Sequence, residues 1–159
     1  GLLAGVAARL QRHVGRRPAR MAVGRVAGRR VIGAFRIRGA IGGHPDTAEG
    51  ASLSVVVAPL TRGRIPTIVK PVNTVVTPGD VVDVVVTDQG IAVNPRRPDV
   101  KEKLEKAGLH VFTIQQLQKR AEKLVGVPDP IRYKDRIVGV VMYRDNTIID
   151  VIRQIDEDA

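Results

Sequence analysis

Residues 81–93 read VVDVVVTDQGIAV, and the fold class turns on them. Val81 to Thr87 is apolar at nearly every position, and Ile91 to Val93 resumes the pattern after Gly90. A strand with one wet face alternates apolar and polar residues, whereas a strand buried on both faces reads as a continuous apolar run. The stretch therefore predicts strands of a sheet covered on both sides. Leu53 to Pro59 (LSVVVAP) has the same character. Ile65 to Val69 and Thr74 to Thr77 are two further short strand candidates, the second stopped by the turn dipeptide Pro78-Gly79.

Downstream of Val93 the period changes from strand to helix. Asp99 suits a helix N-cap, Glu102 stands three residues on, and Gly108 marks an end. Thr113 and Gln116 have capping-box spacing, with Phe112 and Leu117 at the staple positions that flank it. Ile114, Leu117, Ala121 and Leu124 then line one helical face, expected to be core, up to Gly126. Pro128 and Pro130 read as a connector. The tail predicts a β-hairpin: Arg136 to Tyr143, a turn at Asp145-Asn146, and Thr147 to Ile155. No internal repeat is visible. Together these features predict an α/β fold, a mostly parallel sheet with flanking helices and a C-terminal β-hairpin.

Charge divides the chain. Of 26 Lys and Arg, ten Arg fall in the first forty residues, which contain no Lys and no acid. The other 16 basic residues balance the 16 Asp and Glu, so the net charge of +10 belongs to the first quarter alone. That distribution argues against nucleic-acid binding by the body of the chain. Residues 1–37 are rich in Arg and Gly and form a segment distinct from 38–159, with a short helix over Val6 to Val14 its only local signal. Four readings stay open for it. It is a basic arm for nucleic acid (without aromatic residues interleaved to stack bases), a transit peptide (without Ser), a divergent part of the fold, or an out-of-frame translation of GC-rich DNA. The first residue is Gly1 rather than Met, which reads as a processed or truncated piece.

Several chemistries are excluded by inspection. The chain lacks Cys, so it has neither disulfides nor thiolate metal sites, which fits an intracellular setting. His13, His44 and His110 lie far apart without metal-ligand spacing. There is no G-x-x-x-x-G-K-[ST] loop, no G-x-G-x-x-G and no G-x-S-x-G elbow, and Ser52 and Ser54 are the only serines. No apolar run approaches the roughly eighteen residues needed to span a membrane, and the apolar start Gly1 to Ala8 is too short.

The unusual stretch is Arg38 to Ser52, RGAIGGHPDTAEGAS. Gly42 and Gly43 let backbone amides approach a ligand, His44 and Asp46 place two ionisable groups on the same loop, and Gly50-Ala51 precede a buried strand. Such a loop beside a sheet can hold an anion or a developing oxyanion, or it is simply a tight turn with Asp46 bonding its own backbone.

Gly39 to Ser52 resembles the G-x-I-G-G-x-x-D-T-x-x-G-A loop of citrate lyase alpha subunits. Further motifs follow in that family's order: Val57-Ala58-Pro59, Arg62 to Thr67 (RGRIPT), Val72 to Gly79 (VNTVVTPG), Val82 to Pro95, and Tyr143 to Asp150 (YRDNTIID). The resemblance runs from about Arg38 to Ile155. Thr77 to Ala92 is also similar to the wider CoA-transferase and acetyl-CoA hydrolase group. The resemblance implies a CoA-transferase-like fold of two related halves, of which this chain is the C-terminal part of the second. It implies a cytoplasmic citrate CoA-transferase that exchanges acetyl for citryl on an acyl carrier protein. It also implies a beta subunit that cleaves the citryl thioester and a gamma subunit that carries a phosphoribosyl-dephospho-CoA arm. No cofactor bound directly by this chain and no metal are implied. Thioester exchange requires charge on the carbonyl oxygen to be stabilised. Gly42 and Gly43 are therefore candidates to line the acyl site, His44 to orient a carboxylate, and Asp46 to fix the loop. Arg62, Arg64, Arg96 and Arg97 are candidates for citrate or phosphate contacts, because guanidinium groups match carboxylates in bidentate fashion. The Glu-Asn-Gly-like nucleophile motif of many CoA-transferases is missing, and Glu49 does not match its position.

Overall fold

The computed structural model describes residues 21–25, 44–70 and 72–157. In chain order its strands are β1 (Met21–Arg25), β2 (Leu53–Val57), β3 (Thr61–Arg62), β4 (Ile65–Pro66), β5 (Val84–Thr87), β6 (Gly90–Val93), β7 (Val111–Phe112), β8 (Tyr133–Met142) and β9 (Ile148–Ile155). The α-helices are α1 (His44–Glu49), α2 (Pro98–Lys106) and α3 (Ile114–Val125).

The stretch 81–93 makes the centre of the sheet. β5 and β6 pair antiparallel across a tight turn, with Val86 opposite Ile91 and Val84 opposite Val93. The five-stranded order is β1-β2-β5-β6-β7, and every other pairing in it is parallel. Both faces are covered, as the unbroken apolar runs require. On one face Leu53, Val55, Val84, Val86 and Ile91 pack with Val100 and Leu104 of α2. On the other, Ala92 and the partly buried Val85 and Phe112 pack with Leu60 and with Leu117 and Ala121 of α3. Leu60, Leu104 and Leu117 are fully buried, each contributing about 1.5–3 kcal/mol of transfer free energy. A two-stranded sheet of β3 and β4 and the β8–β9 hairpin complete the architecture, and α3 touches β4.

Several sequence expectations change in detail. β1 falls within the Arg-rich segment and pairs parallel with β2, Val23 opposite Val55; the Val6 to Val14 helix lies outside the described residues. Thr74 to Thr77 is bends rather than a strand. The Val75 amide donates to the Asp150 carboxylate at 2.6 Å, so it is not offered to a sheet. Ile65 to Val69 shortens to the two residues of β4. Asp99 is not the N-cap of α2. Pro98 takes the first helical position, which its fixed φ suits, Arg97 becomes the cap without a side-chain capping bond, and Asp99 falls in the first turn. The capping box of α3 forms as its spacing indicates: the Gln116 amide donates to the Thr113 hydroxyl and the Thr113 amide donates to the Gln116 side chain. Yet Ile114 and Leu124, expected in the core, are 38% and 59% exposed. Only the narrow stripe through Leu117 and Ala121 meets the sheet.

Candidate functional site

Helix α1 lies within the Gly39 to Ser52 motif, directly after Gly42-Gly43 in the sequence. His44 opens it, and Pro45 suits a first turn because the missing N–H has no helical partner there. Asp46 in that turn matches the helix dipole. Pro45 and Ala48 are buried, while Asp46, Thr47 and Glu49 face outward. The Gly50 amide donates to the Asp46 carbonyl and closes the turn before β2. Gly42 and Gly43 lie outside the described residues, as does the His44 side chain.

What holds α1 from outside is the far end of the chain. The Arg144 guanidinium donates to Glu49 at 3.4 Å and lies 3.9 Å from Asp46. Its neighbour Tyr143 has a buried hydroxyl beside the Glu49 carboxylate. Burial first, and then the Glu49 carboxylate, push that phenol above its ordinary pKa. Asp46, expected to fix the loop, is thus itself linked to the tail.

The same hairpin secures the 72–77 loop. One Asp150 oxygen accepts from the Val75 amide at 2.6 Å and the other from the Val151 amide at 2.7 Å. A cavity of about 160 Å³ lies beside this contact, lined by Asn73, Tyr133, Asp150, Val151 and Arg153. The Val75 N–H first, and then the Val151 N–H, hold the Asp150 carboxyl below the usual carboxylate range. A lowered carboxyl pKa stabilises the folded arrangement above the ordinary value near 3.9 and loses that contribution as pH falls through the lowered value. Hydrogen exchange at the Val75 amide is therefore expected to keep the same protection from pH 7 to pH 5. It is expected to lose protection, relative to β5 amides, below about pH 4; equal loss at both places would show that Asp150 is not the latch.

The four candidate arginines separate into two pairs at opposite ends of the sheet. Arg62 and Arg64 flank Gly63 in the turn between β3 and β4, past the carboxyl end of β2, with Arg64 exposed. Arg96 and Arg97 lie by the amino ends of β2 and β5. Arg96 reaches Asp80 at 3.4 Å. Arg97 donates to Asp83 at 2.9 Å, to both Asp99 oxygens at 3.0 and 3.1 Å, and to the Ser52 carbonyl at 3.2 Å. Its pKa is raised even for an arginine, chiefly by Asp99 and further by Asp83, against the opposing effect of burial. The Arg97 guanidinium is thus engaged in holding α2 to the sheet.

Three motif residues that the sequence reading gave no role carry scaffolding. Asp83 accepts from the Ser54 amide at 2.7 Å and from Arg97. Asp88 accepts from the Leu60 amide at 2.7 Å. Asn94 donates to the Gly79 and Val82 carbonyls at 3.0 and 2.9 Å. Their places inside the quoted motifs were the available signal, since a short acid or amide flanking a buried strand has few partners except backbone. Among the described residues no cluster of His, Asp and Glu could hold a metal ion, and no helix is long and apolar enough to cross a membrane.

Comparison with known proteins agrees with the resemblance read from the motifs. The family described as citrate lyase, alpha subunit (CitF), matches residues 28–155, starting within the Arg-rich segment. The citrate lyase alpha chain of Klebsiella pneumoniae is 59% identical over 119 residues, 75% of this chain and 23% of that one. The alpha chain from Escherichia coli K12 is 55% identical over 121 residues, 76% of this chain and 24% of that one. A crystal structure described as an alpha subunit of citrate lyase in complex with citrate, from Streptococcus mutans, superposes with a TM-score of 0.73 at 54% identity. That superposition covers 76% of this chain and 24% of that one. The chain thus spans about a quarter of the length of these relatives. The family match extends over most of its residues and takes in the glycine-rich loop, the 72–77 loop and the tail hairpin, and the chain belongs to the citrate lyase alpha subunit family.

Proposed function

We propose that this chain supplies the C-terminal part of a citrate CoA-transferase, which exchanges acetyl for citryl on an acyl carrier: acetyl-carrier plus citrate gives citryl-carrier plus acetate. The observation that carries the proposal is the family match over 28–155, which includes the loop Gly39 to Ser52. In the exchange a citrate carboxylate attacks the acetyl thioester carbonyl, and negative charge grows on that oxygen. Gly42 and Gly43 offer backbone N–H groups to it, His44 orients the attacking carboxylate, and Asp46, tied to Arg144, fixes the loop. The carrier's thiolate, on its phosphoribosyl-dephospho-CoA arm, leaves as a mixed acetyl–citryl anhydride forms, then attacks the citryl carbonyl of that anhydride and expels acetate. Of the four arginines, Arg64 is exposed in the β3–β4 turn and is the candidate for the arm's phosphates, whereas Arg97 already serves two carboxylates. The partners in this reading are the gamma carrier subunit and a beta subunit that cleaves the citryl thioester, in the cytoplasm.

The test uses a full-length relative in its assembled complex. Changes equivalent to Gly43→Val and His44→Ala should each lower citrate-dependent acetyl exchange at least about tenfold, or ~1.4 kcal/mol of transition-state stabilisation. Unchanged exchange would remove the glycine loop from the acyl site. The quarter-length coverage favours a second reading for the chain alone, a non-catalytic piece that docks on lyase subunits. Turnover by the 159-residue chain with acetyl-carrier and citrate would eliminate that reading.

A further inference from the structure

Hairpin β8–β9 has two unlike faces. On one, Val141 is 6% exposed and stands opposite Asp150, whose carboxylate holds the 72–77 loop, so the end of this face near the turn leans on the body of the chain, while Ile137 farther along is 52% exposed. On the other, Val140 stands opposite Val151 and Met142 opposite Ile148, with Val138 at a register shift between Ile137 and Gly139. Val138, Val140, Met142 and Ile148 are 56%, 47%, 55% and 62% exposed. Residues 137–142 (IVGVVM) contain no charge at all. Natural edge strands guard against unwanted pairing with charges, proline or cover, and an isolated two-stranded ribbon is marginal in water. Solvated apolar stripes of this kind mark docking surfaces.

The occupant follows from chain length. The family match runs to Ile155, so the whole hairpin belongs to the family's alpha polypeptide. The chain covers only 23–24% of its relatives' length, their C-terminal portion, and three quarters of such a polypeptide lies upstream. We propose that the Val138–Val140–Met142 face of the hairpin docks on that upstream part of a citrate lyase alpha polypeptide. The hairpin then clamps α1 and the 72–77 loop with one face and the rest of the subunit with the other. This inference rests on family membership and not on the acyl-exchange reading, so each can fail alone.

The experiment compares hydrogen exchange in the 159-residue chain and in the full-length Klebsiella pneumoniae alpha chain. Protection of the β8 peptide, divided by that of the β5–β6 peptide in the same protein, should be at least tenfold higher in the full-length chain. Equal ratios overturn the proposal. Concentration-dependent β8 protection in the 159-residue chain, together with a doubled mass, also overturns it, because a second copy is then the occupant. A second measurement does not need the short chain to fold by itself. Glutamate at the full-length residue aligned with Val140 should lower that protein's melting temperature by about 4 °C or more, the shift expected for burying a charge in a domain interface. A melting temperature unchanged by that substitution overturns the proposal as well.

Discussion

Asp83→Ala is expected to cost about 3–5 kcal/mol of folding free energy, read as a shift of the urea midpoint, because it removes one partner of a largely buried pair. The side chains of Asp83 and Arg97 are only 13% and 27% exposed. One Asp83 oxygen takes the Ser54 amide at the start of β2, and the other takes the Arg97 guanidinium at the cap of α2. The Asp83 backbone adds bonds in both directions, donating to the Ser54 carbonyl and accepting from the Asn94 amide. Truncation would leave the buried Ser54 N–H without its acceptor and the Arg97 guanidinium with only the exposed Asp99 and the Ser52 carbonyl. Asp99→Ala provides the contrast. Asp99 also binds Arg97, but its side chain is 53% exposed, and water replaces it at a cost of about 1 kcal/mol or less. Equal costs for the two substitutions would mean that burial does not set the worth of these pairs.

Gly90→Val is expected to destabilise by about 3 kcal/mol or more, combining overpacking with a backbone that side chains rarely tolerate. Gly90 has φ 150°, and a Cβ there would stand 2.5 and 2.6 Å from Phe112 Cδ2 and Cε2. The Phe112 ring cannot withdraw easily. His110 lies against it with ring centroids 4.4 Å apart, and the Arg120 guanidinium covers it at 5.0 Å while donating to the Gln89 carbonyl. A double-mutant cycle with Phe112→Leu separates the two causes. Relief of about half the loss would assign that half to the clash and the remainder to the backbone. Full stability of Gly90→Val alone would show that the β5–β6 turn can refold around a side chain.

β2, β5 and β6 were legible because their apolar runs report double burial directly, whereas β1 and β7 were not expected, and α3 was legible because Thr113 and Gln116 satisfy each other within one turn. Local patterns report local physics. They could not reveal that Thr74 to Thr77 gives its backbone to Asp150, or that only the Leu117–Ala121 stripe of α3 reaches the sheet, since those outcomes depend on where distant elements dock. The site divides similarly. A glycine pair followed by His44 and Asp46 stands out in the sequence itself. An arginine does not announce whether its carboxylate is a substrate's or its own chain's, and Arg97 proves to have two of the latter. The Asp46–Glu49–Arg144 contact joins residues 95 positions apart at its Glu49 end, beyond the reach of any window along the chain.

That separation has a consequence during synthesis. Arg144 lies 95 residues after Glu49, and Asp150 lies 75 residues after Val75. Polypeptides emerge from the ribosome at about 5–20 residues per second, so α1 would wait roughly 5 to 20 seconds for its anchor. Through that interval α1 already has its packing contacts with β2, but not its ion pairs with Arg144. The exposed side of α1, with Asp46 and Glu49, is therefore among the last parts of the described chain to meet its partner.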